Sequence, residues 1–350
     1  MSASTEYATV REGLFYEQLD DQKVRCLLCE RLCEIGVGSK GHCKTRVNHE
    51  GRLFTVVYGD VSTIESRPIE IKPFFHYWPG SSALTFSTWS CNLSCGWCQN
   101  YHLSKVEPDP STTIQYPPEK IVEMALYNAD DGLCASFQEP TLLSEWALDV
   151  FKLGKSKGLK YCCYVSNGYM TEDVLKALCD AGLDGLKIDV KGDTETYKKY
   201  CGGADVEKVW RNASLAKRLG VHVEIVNLVV TGVNDSEHAL TDIIGNHLKS
   251  VGAETPLHFT RYFPAYKFES PPTRVDVLEK ACEMARGRGV QYVYVGNVEG
   301  NRYENTFCPG CGFRLIGRFG WRLLSYDVTD DKKCPKCGLS VPIAGRRIVH

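Results

Sequence analysis

The sequence has no stretch approaching the roughly 18–20 unbroken apolar residues that a bilayer-spanning helix needs. Its beginning, polar from Met1 to Gly13, carries no apolar core of the kind that defines a signal peptide. Charge of neither sign prevails. The formal net charge is −2, which gives no global argument for nucleic acid or for an anionic membrane surface. With 31 glycines, 15 prolines and 43% hydrophobic residues, the composition excludes a disordered or collagen-like chain. These absences leave a folded, cytosolic protein, and 350 residues suit one large domain with small appendages.

Cysteine, in contrast, is abundant. There are 17, many for a cytosolic chain yet short of the roughly 8–10% density of a small disulfide scaffold. In a reducing compartment, closely spaced thiols more often hold metal than pair with one another. Eleven fall in three clusters: Cys26, Cys29, Cys33 and Cys43; Cys91, Cys95 and Cys98; and Cys308, Cys311, Cys334 and Cys337. The other six (Cys134, Cys162, Cys163, Cys179, Cys201 and Cys282) lie in apolar, periodic segments and read as buried packing. From Arg302 onward nine Lys/Arg stand against four Asp/Glu. Such a basic tail suits RNA, an acidic partner surface or an ordinary solvated face, the last being commonest.

Between Ala83 and Asn297 one pattern recurs: a short apolar run, a polar turn, an amphipathic helical stretch, then a glycine. The runs are LTFSTWS (84–90), LCASFQ (133–138), KYCCYVSN (160–167), GLKIDV (185–190), HVEIVNLVV (222–230), PLHFTRYF (256–263) and YVYVGN (292–297). Mostly apolar on both faces, they predict strands buried in a parallel sheet. Helices are predicted over 118–129, 143–154, 171–181, 206–219, 236–251 and 275–286. Gly158, Gly182, Gly220, Gly252 and Gly289 each follow one and suit a left-handed helix end. Repeated strand–helix–strand units demand right-handed crossovers, which an open doubly wound sheet or a partial barrel satisfies equally. In both, ligands sit at the C-terminal ends of the strands.

Directly after the first run comes Cys91-Asn-Leu-Ser-Cys95-Gly-Trp-Cys98. Three thiolates are one too few for a closed structural zinc site. On a 4Fe–4S cube they leave one iron without a protein ligand, the open position that a reactive centre needs. This C-x3-C-x2-C loop, with Trp97 before the last cysteine, resembles the signature of the radical S-adenosylmethionine (SAM) enzymes. KPFFHYWPGSSALTFSTWSCNLSCGWCQNYHLS, FQEPTLLSE, VSNGY, KIDVKG and LVVTGVND are similar to the relatives of pyruvate formate-lyase activase. PLHFTRYFPAYKFESPPT, YVYVGNVEG and the terminal CPGCG…CPKCG resemble the radical SAM enzyme of the AmmeMemoRadiSam system.

The resemblance implies an α/β fold, a partial (β/α)6-type TIM barrel over residues 76–300. It is flanked by an N-terminal Cys-rich metal module (1–75) and a C-terminal zinc ribbon (301–350). It implies that Cys91, Cys95 and Cys98 hold the catalytic 4Fe–4S cluster and that SAM chelates the fourth iron. Reductive cleavage would then give a 5′-deoxyadenosyl radical that abstracts a substrate hydrogen. Glu139, where the superfamily commonly has Gly-Gly-Glu-Pro, would accept from the SAM amino group. Here Phe137 and Gln138 replace the two glycines. Ser166 and Asn167 suit the ribose hydroxyls, although Asn-Gly is also an ordinary turn dipeptide. Lys187, Asp189 and Lys191 share one face of a strand, odd for a buried strand unless that face lines a polar cavity. Asp189 and Lys191 match the activase-like pattern. Glu224, Asn227, His258 and Arg261 fall where strands face inward or toward the mouth, as pocket residues or as satisfied structural groups.

The knuckles Cys308-x2-Cys311 and Cys334-x2-Cys337 offer four soft thiolates in a tetrahedral array, the pattern of structural zinc, with mononuclear iron the lesser alternative. Between them FRLIGRFGWRLLSYDV reads either as ribbon strands or as a partner-contacting surface. Cys26, Cys29, Cys33 and Cys43 form a complete set for zinc, the favoured ion, with an auxiliary 4Fe–4S cluster as its rival. The expected function is radical chemistry on a protein or another macromolecule. The resemblance brings with it a ferredoxin- or flavodoxin-type electron donor and Memo-type and AMMECR-type partners. The contrasting readings are a metal-stabilised binding scaffold and an electron-transfer iron–sulfur protein.

Overall fold

The computed structural model describes residues 6–349, so residues 1–5 and 350, at the outer ends of the first and third expected domains, lie outside it. Two compact units appear, neither contiguous in sequence. One comprises the residues up to Ser66 together with Ala83–Asp184; the other comprises Arg67–Ser82 and everything from Gly185 onward.

In the first unit, parallel strands β1 (Ser82–Ser87), β2 (Gly132–Ala135) and β3 (Tyr161–Ser166) alternate with helices α1 (Pro118–Tyr127) and α2 (Ser144–Ser156), and α3 (Glu172–Asp180) follows. Ala83 and Tyr161 both pair with Gly132. Every residue of β2 is buried, as a strand covered on both faces requires. Gly132 is obligatory for its space: a Cβ there would lie 2.6 Å from the Tyr161 carbonyl oxygen. Gly132→Ala should therefore destabilise the protein by about 3 kcal/mol, readable as a lowered denaturation midpoint, because backbone cannot yield as a side chain can. The N-terminal residues of this unit make two three-stranded antiparallel sheets. One consists of Arg11–Glu12, Arg52–Thr55 and Arg46–His49; the other consists of Tyr16–Gln18, Val24–Cys26 and Glu34–Ile35.

In the second unit, β4 (Gly185–Val190), α4 (Thr194–Tyr200), α5 (Val206–Arg218), β5 (His222–Val229), α6 (Glu237–Ser250), β6 (Leu257–Arg261), α7 (Val275–Gly287) and β7 (Val293–Gly296) continue the same alternation. The four strands pair in parallel in the order β4-β5-β6-β7. Helix α5 buries Val206, Val209, Trp210, Ala213 and Ala216 on one stripe, and Asp205 caps it by accepting from the Glu207 N–H at 2.9 Å. Each of the five predicted terminating glycines has positive φ. The ribbon adds an antiparallel sheet of Thr306–Phe307, Arg314–Phe319 and Arg322–Tyr326, so the aromatic–basic segment forms ribbon strands. The mixed α/β architecture is the one expected, and α4 is an addition to it. No helix among the described residues is long and apolar enough to cross a membrane.

Candidate active site

The cysteine loop begins where β1 ends. Ser90 takes a left-handed turn (φ 70°), donates its amide to the Leu103 carbonyl at 2.9 Å and donates its hydroxyl to the Cys43 carbonyl at 2.6 Å. Arg31 Nε donates to the Asn92 carbonyl at 2.8 Å, and Lys105 Nζ donates to that of Leu93 at 3.1 Å. Two cations therefore hold the loop backbone beside the place where negative charge would collect. The Leu93 amide donates to Cys91 Sγ at 3.3 Å, and Asn167 Nδ2 lies 3.8 Å from the same sulfur. Cys98 Sγ lies 3.1 Å from Ser104 Oγ. Trp97 is buried and anchors the turn. Burial, then the nearby Glu139 charge, pushes the Cys91 thiol well up, so a metal must displace its proton. Three thiols, amide donors and flanking cations fit an anionic iron–sulfur cluster with one open iron.

Glu139, Ser166 and Asn167 come together in the same unit, at the C-terminal ends of β2 and β3. Glu139 is 1% exposed. Its Oε1 accepts from the Thr141 amide (3.0 Å), the Thr141 hydroxyl (2.6 Å) and Ser166 Oγ (2.7 Å), while Oε2 accepts from the Asn167 amide at 2.8 Å. Burial raises its carboxyl above the usual range even though these donors favour the charged form. Oε2 thus keeps one acceptor position. Asn167 also binds Asn92 Oδ1 at 2.8 Å, tying this carboxylate to the cysteine loop. Phe137, standing where the first motif glycine would be, has a positive φ (71°). The Gln138 amide is buried with neither its nitrogen nor its oxygen bonded. Such an orphan calls for a ligand or a water. Asn92 and Gln138 are site residues that sequence reasoning passed over; only their adjacency to Cys91 and Glu139 could have signalled them.

In the second unit, Lys187, Asp189 and Lys191 share a face of β4 and its end, as the period-two reading expects. Lys187 Nζ bonds Asp189 Oδ1, and Lys191 Nζ lies 3.3 Å from Oδ2. Burial works to raise the Asp189 carboxyl, but the two lysines outweigh it and hold it at about 2, below its ordinary 3.8. A depressed carboxyl contributes stability that is fully present above pH 3.8 and is lost as pH falls toward 2. Asp189→Asn should therefore cost about 2 kcal/mol at neutral pH. It should also flatten the acid limb of a stability-against-pH curve relative to the parent, measured by denaturant titration.

Glu224 lies near the start of β5, away from the strand's C-terminal end. Fully buried, it accepts from the Phe75 and His76 amides (3.0 and 2.8 Å), His222 Nε2 (2.9 Å) and His258 Nε2 (2.7 Å). Burial opposes its charge, but hydrogen bonds to both histidines hold the carboxyl well below the usual range. All four contacts are protein groups, and they pin the 75–76 segment to β5 and β6. Asn227 Nδ2 donates to the Val190 carbonyl at 2.8 Å, and Arg261 Nε donates to that of Thr273 at 2.8 Å. A cavity of about 290 Å³ is lined by Thr260, Gly296 and Asn297, at the ends of β6 and β7, with Glu70, Glu299 and the half-exposed Trp321.

In the ribbon, Cys308 and Cys337 sulfurs lie 3.5 Å apart and those of Cys311 and Cys334 3.6 Å apart. All four lie within 4.8 Å of one another and could hold one metal ion. Cys26, Cys29, Cys33 and Cys43 line a shared chamber. Burial pushes the Cys26 thiol up to about 12 and raises Cys29 well above its ordinary value. Of the six remaining cysteines, Cys179 is partly exposed and the other five are buried.

Residues 87–243, a little under half of the chain, match the radical SAM superfamily. An uncharacterized protein of Methanocaldococcus jannaschii is 40% identical over 337 residues, covering 95% of this chain and 99% of that one. A probable GTP 3′,8-cyclase of Methanococcus aeolicus is 32% identical over 157 residues, 41% of this chain and 50% of that protein. Among solved structures, a domain of pyruvate-formate lyase-activating enzyme from Bacteroides vulgatus aligns with a TM-score of 0.41 at 16% identity, over 47% of this chain and 98% of that one. TYW1 with a lysine-pyruvate adduct bound aligns at 0.48 and 17%, over 66% and 85%.

Proposed function

We propose that this chain is the radical SAM enzyme of an AmmeMemoRadiSam-type system and that it generates a 5′-deoxyadenosyl radical to abstract hydrogen from a protein or other macromolecule. One observation carries the reading: the Cys91–Cys98 loop and the Glu139–Ser166–Asn167 cluster are hydrogen-bonded to each other at the C-terminal ends of adjacent parallel strands. Held there by Cys91, Cys95 and Cys98, a 4Fe–4S cluster would supply the single electron that cleavage of SAM into methionine and a deoxyadenosyl radical requires.

The chain's own residues have separate tasks. Cys91, Cys95 and Cys98 hold three corners, while Arg31 and Lys105 fix the loop and balance its charge. Glu139 Oε2 accepts the SAM amino group, and its other bonds keep the carboxylate from turning away. Gln138, in place of a glycine backbone, offers an amide to the methionyl carboxylate. Asn167 couples the two halves of the pocket. The cavity beside Trp321 supports a large substrate that inserts a group at the ends of β6 and β7. A low-potential one-electron donor of the ferredoxin or flavodoxin kind is the proposed reductant, Memo-type and AMMECR-type proteins the proposed partners, and zinc the proposed ion of the ribbon.

Anaerobic, reduced protein should convert SAM to equimolar methionine and 5′-deoxyadenosine, measured chromatographically. Iron-loaded protein that leaves SAM intact would instead be an electron carrier or a scaffold.

A further inference from the structure

We infer that Cys26, Cys29, Cys33 and Cys43 hold a second 4Fe–4S cluster, ligated entirely by protein, rather than the zinc ion their number suggests. This rests on reading the Cys91 loop as a 4Fe–4S site, because that loop supplies the internal comparison.

Spacing is the first argument. Zinc–sulfur bonds of about 2.3 Å at tetrahedral angles place sulfurs about 3.8 Å apart. The ribbon meets this with its 3.5 and 3.6 Å pairs. Among the described residues, it is the only set in which three or more ligand atoms lie within 4.8 Å of one another. The N-terminal cysteines line one chamber, yet no three of their sulfurs lie within 4.8 Å of one another. The same holds for Cys91, Cys95 and Cys98. A cubane carries its thiolates on irons at alternate corners and so holds sulfurs farther apart than a single ion does. By this measure the N-terminal set matches the iron–sulfur loop and differs from the ribbon.

The backbone resists contraction around a smaller ion. Cys26 sits on a strand paired with Tyr16, and its amide donates to the Cys33 carbonyl at 2.9 Å. Cys29 forms an isolated bridge with Met170, and the Cys43 carbonyl is held by Ser90. Three of the four positions are thus anchored to different neighbours.

The chamber wall provides the second argument. Arg46 is 1% exposed; its Nη2 binds the Leu142 carbonyl (3.0 Å) and Glu145 (2.7 Å), but its Nε and Nη1 have no partner. The Asn92 side chain lies near enough to Cys29 to favour its thiolate. Both side chains line the chamber. Buried donors left open are costly unless an acceptor arrives. A cubane presents bridging sulfides as well as cysteine sulfurs, and so offers acceptors that a lone zinc ion lacks.

The test is a metal count on anaerobically reconstituted full-length protein, with Mössbauer spectra. About eight irons, eight acid-labile sulfides and one zinc per chain are expected, falling to about four irons and four sulfides in the triple Cys91→Ala, Cys95→Ala, Cys98→Ala variant. Four irons with two zincs in the parent, or an iron-free triple variant with native circular dichroism, would overturn the inference. If the triple variant does not fold, the parent count decides alone. Failure of the catalytic reading looks different: SAM stays uncleaved while the four irons of the Cys26 set remain.

Discussion

Cys95→Ala should reduce 5′-deoxyadenosine formation by the reduced protein to the level of a cluster-free control. Two thiolates cannot hold three corners of a cube, and the polar contacts seen at Cys91, Cys98 and the loop backbone come from amides, hydroxyls and cations. The substitution removes only one sulfur from a buried position, so the cost in stability without metal should stay near 1 kcal/mol. Activity and fold therefore separate. Cys282→Ala, which truncates a buried thiol of α7 remote in sequence from the loop, provides the contrast, with a comparable loss of stability and full SAM cleavage. Equal product from Cys95→Ala and the parent would end the radical reading.

Removing the ribbon's metal should produce the largest stability effect. Its core cluster joins Leu315, Ile316, Val328, Val341 and Ile343 to Phe75, Tyr292 and Tyr294, with the Cys308 and Cys334 thiols inside. Much of the ribbon around this cluster is turn, so a bound ion would fix chain that burial alone would not. Burial opposes it, but the amides of Cys337 and Lys336 hold the Cys334 thiol below its ordinary value, while at Cys337 the Leu339 amide is outweighed by hydrogen bonds within the cysteine set, which raise that thiol. Cys334→Ala, or a strong chelator, should cost roughly 5 kcal/mol and release one zinc, monitored by calorimetry and metal analysis. An unchanged melting temperature with the metal gone would show that the hydrophobic cluster suffices.

The parallel strands were legible because burial on both faces leaves a chemical trace, a β-branched or aromatic run ended by a turn. All seven lie within a few residues of the runs predicted for them. Helix α4, TETYKKY, escaped because its short polar stretch shows no apolar stripe. The cysteine sets were legible by spacing, but spacing along the chain does not report sulfur separation in space, so it left zinc and an iron–sulfur cluster both open at Cys26–Cys43. Glu224 illustrates a deeper limit. Its amide donors at Phe75 and His76 lie about 150 positions away, and no local pattern announces that pairing. The positive φ of Phe137 is hidden for the opposite reason: a bulky residue signals nothing about a conformation it does not favour.

The hydroxyl of Ser90 reaches the carbonyl of Cys43 from the position immediately before Cys91. That contact couples the backbone that aims the reactive loop to the segment ending in Cys43, so a disturbance of either is felt by the other.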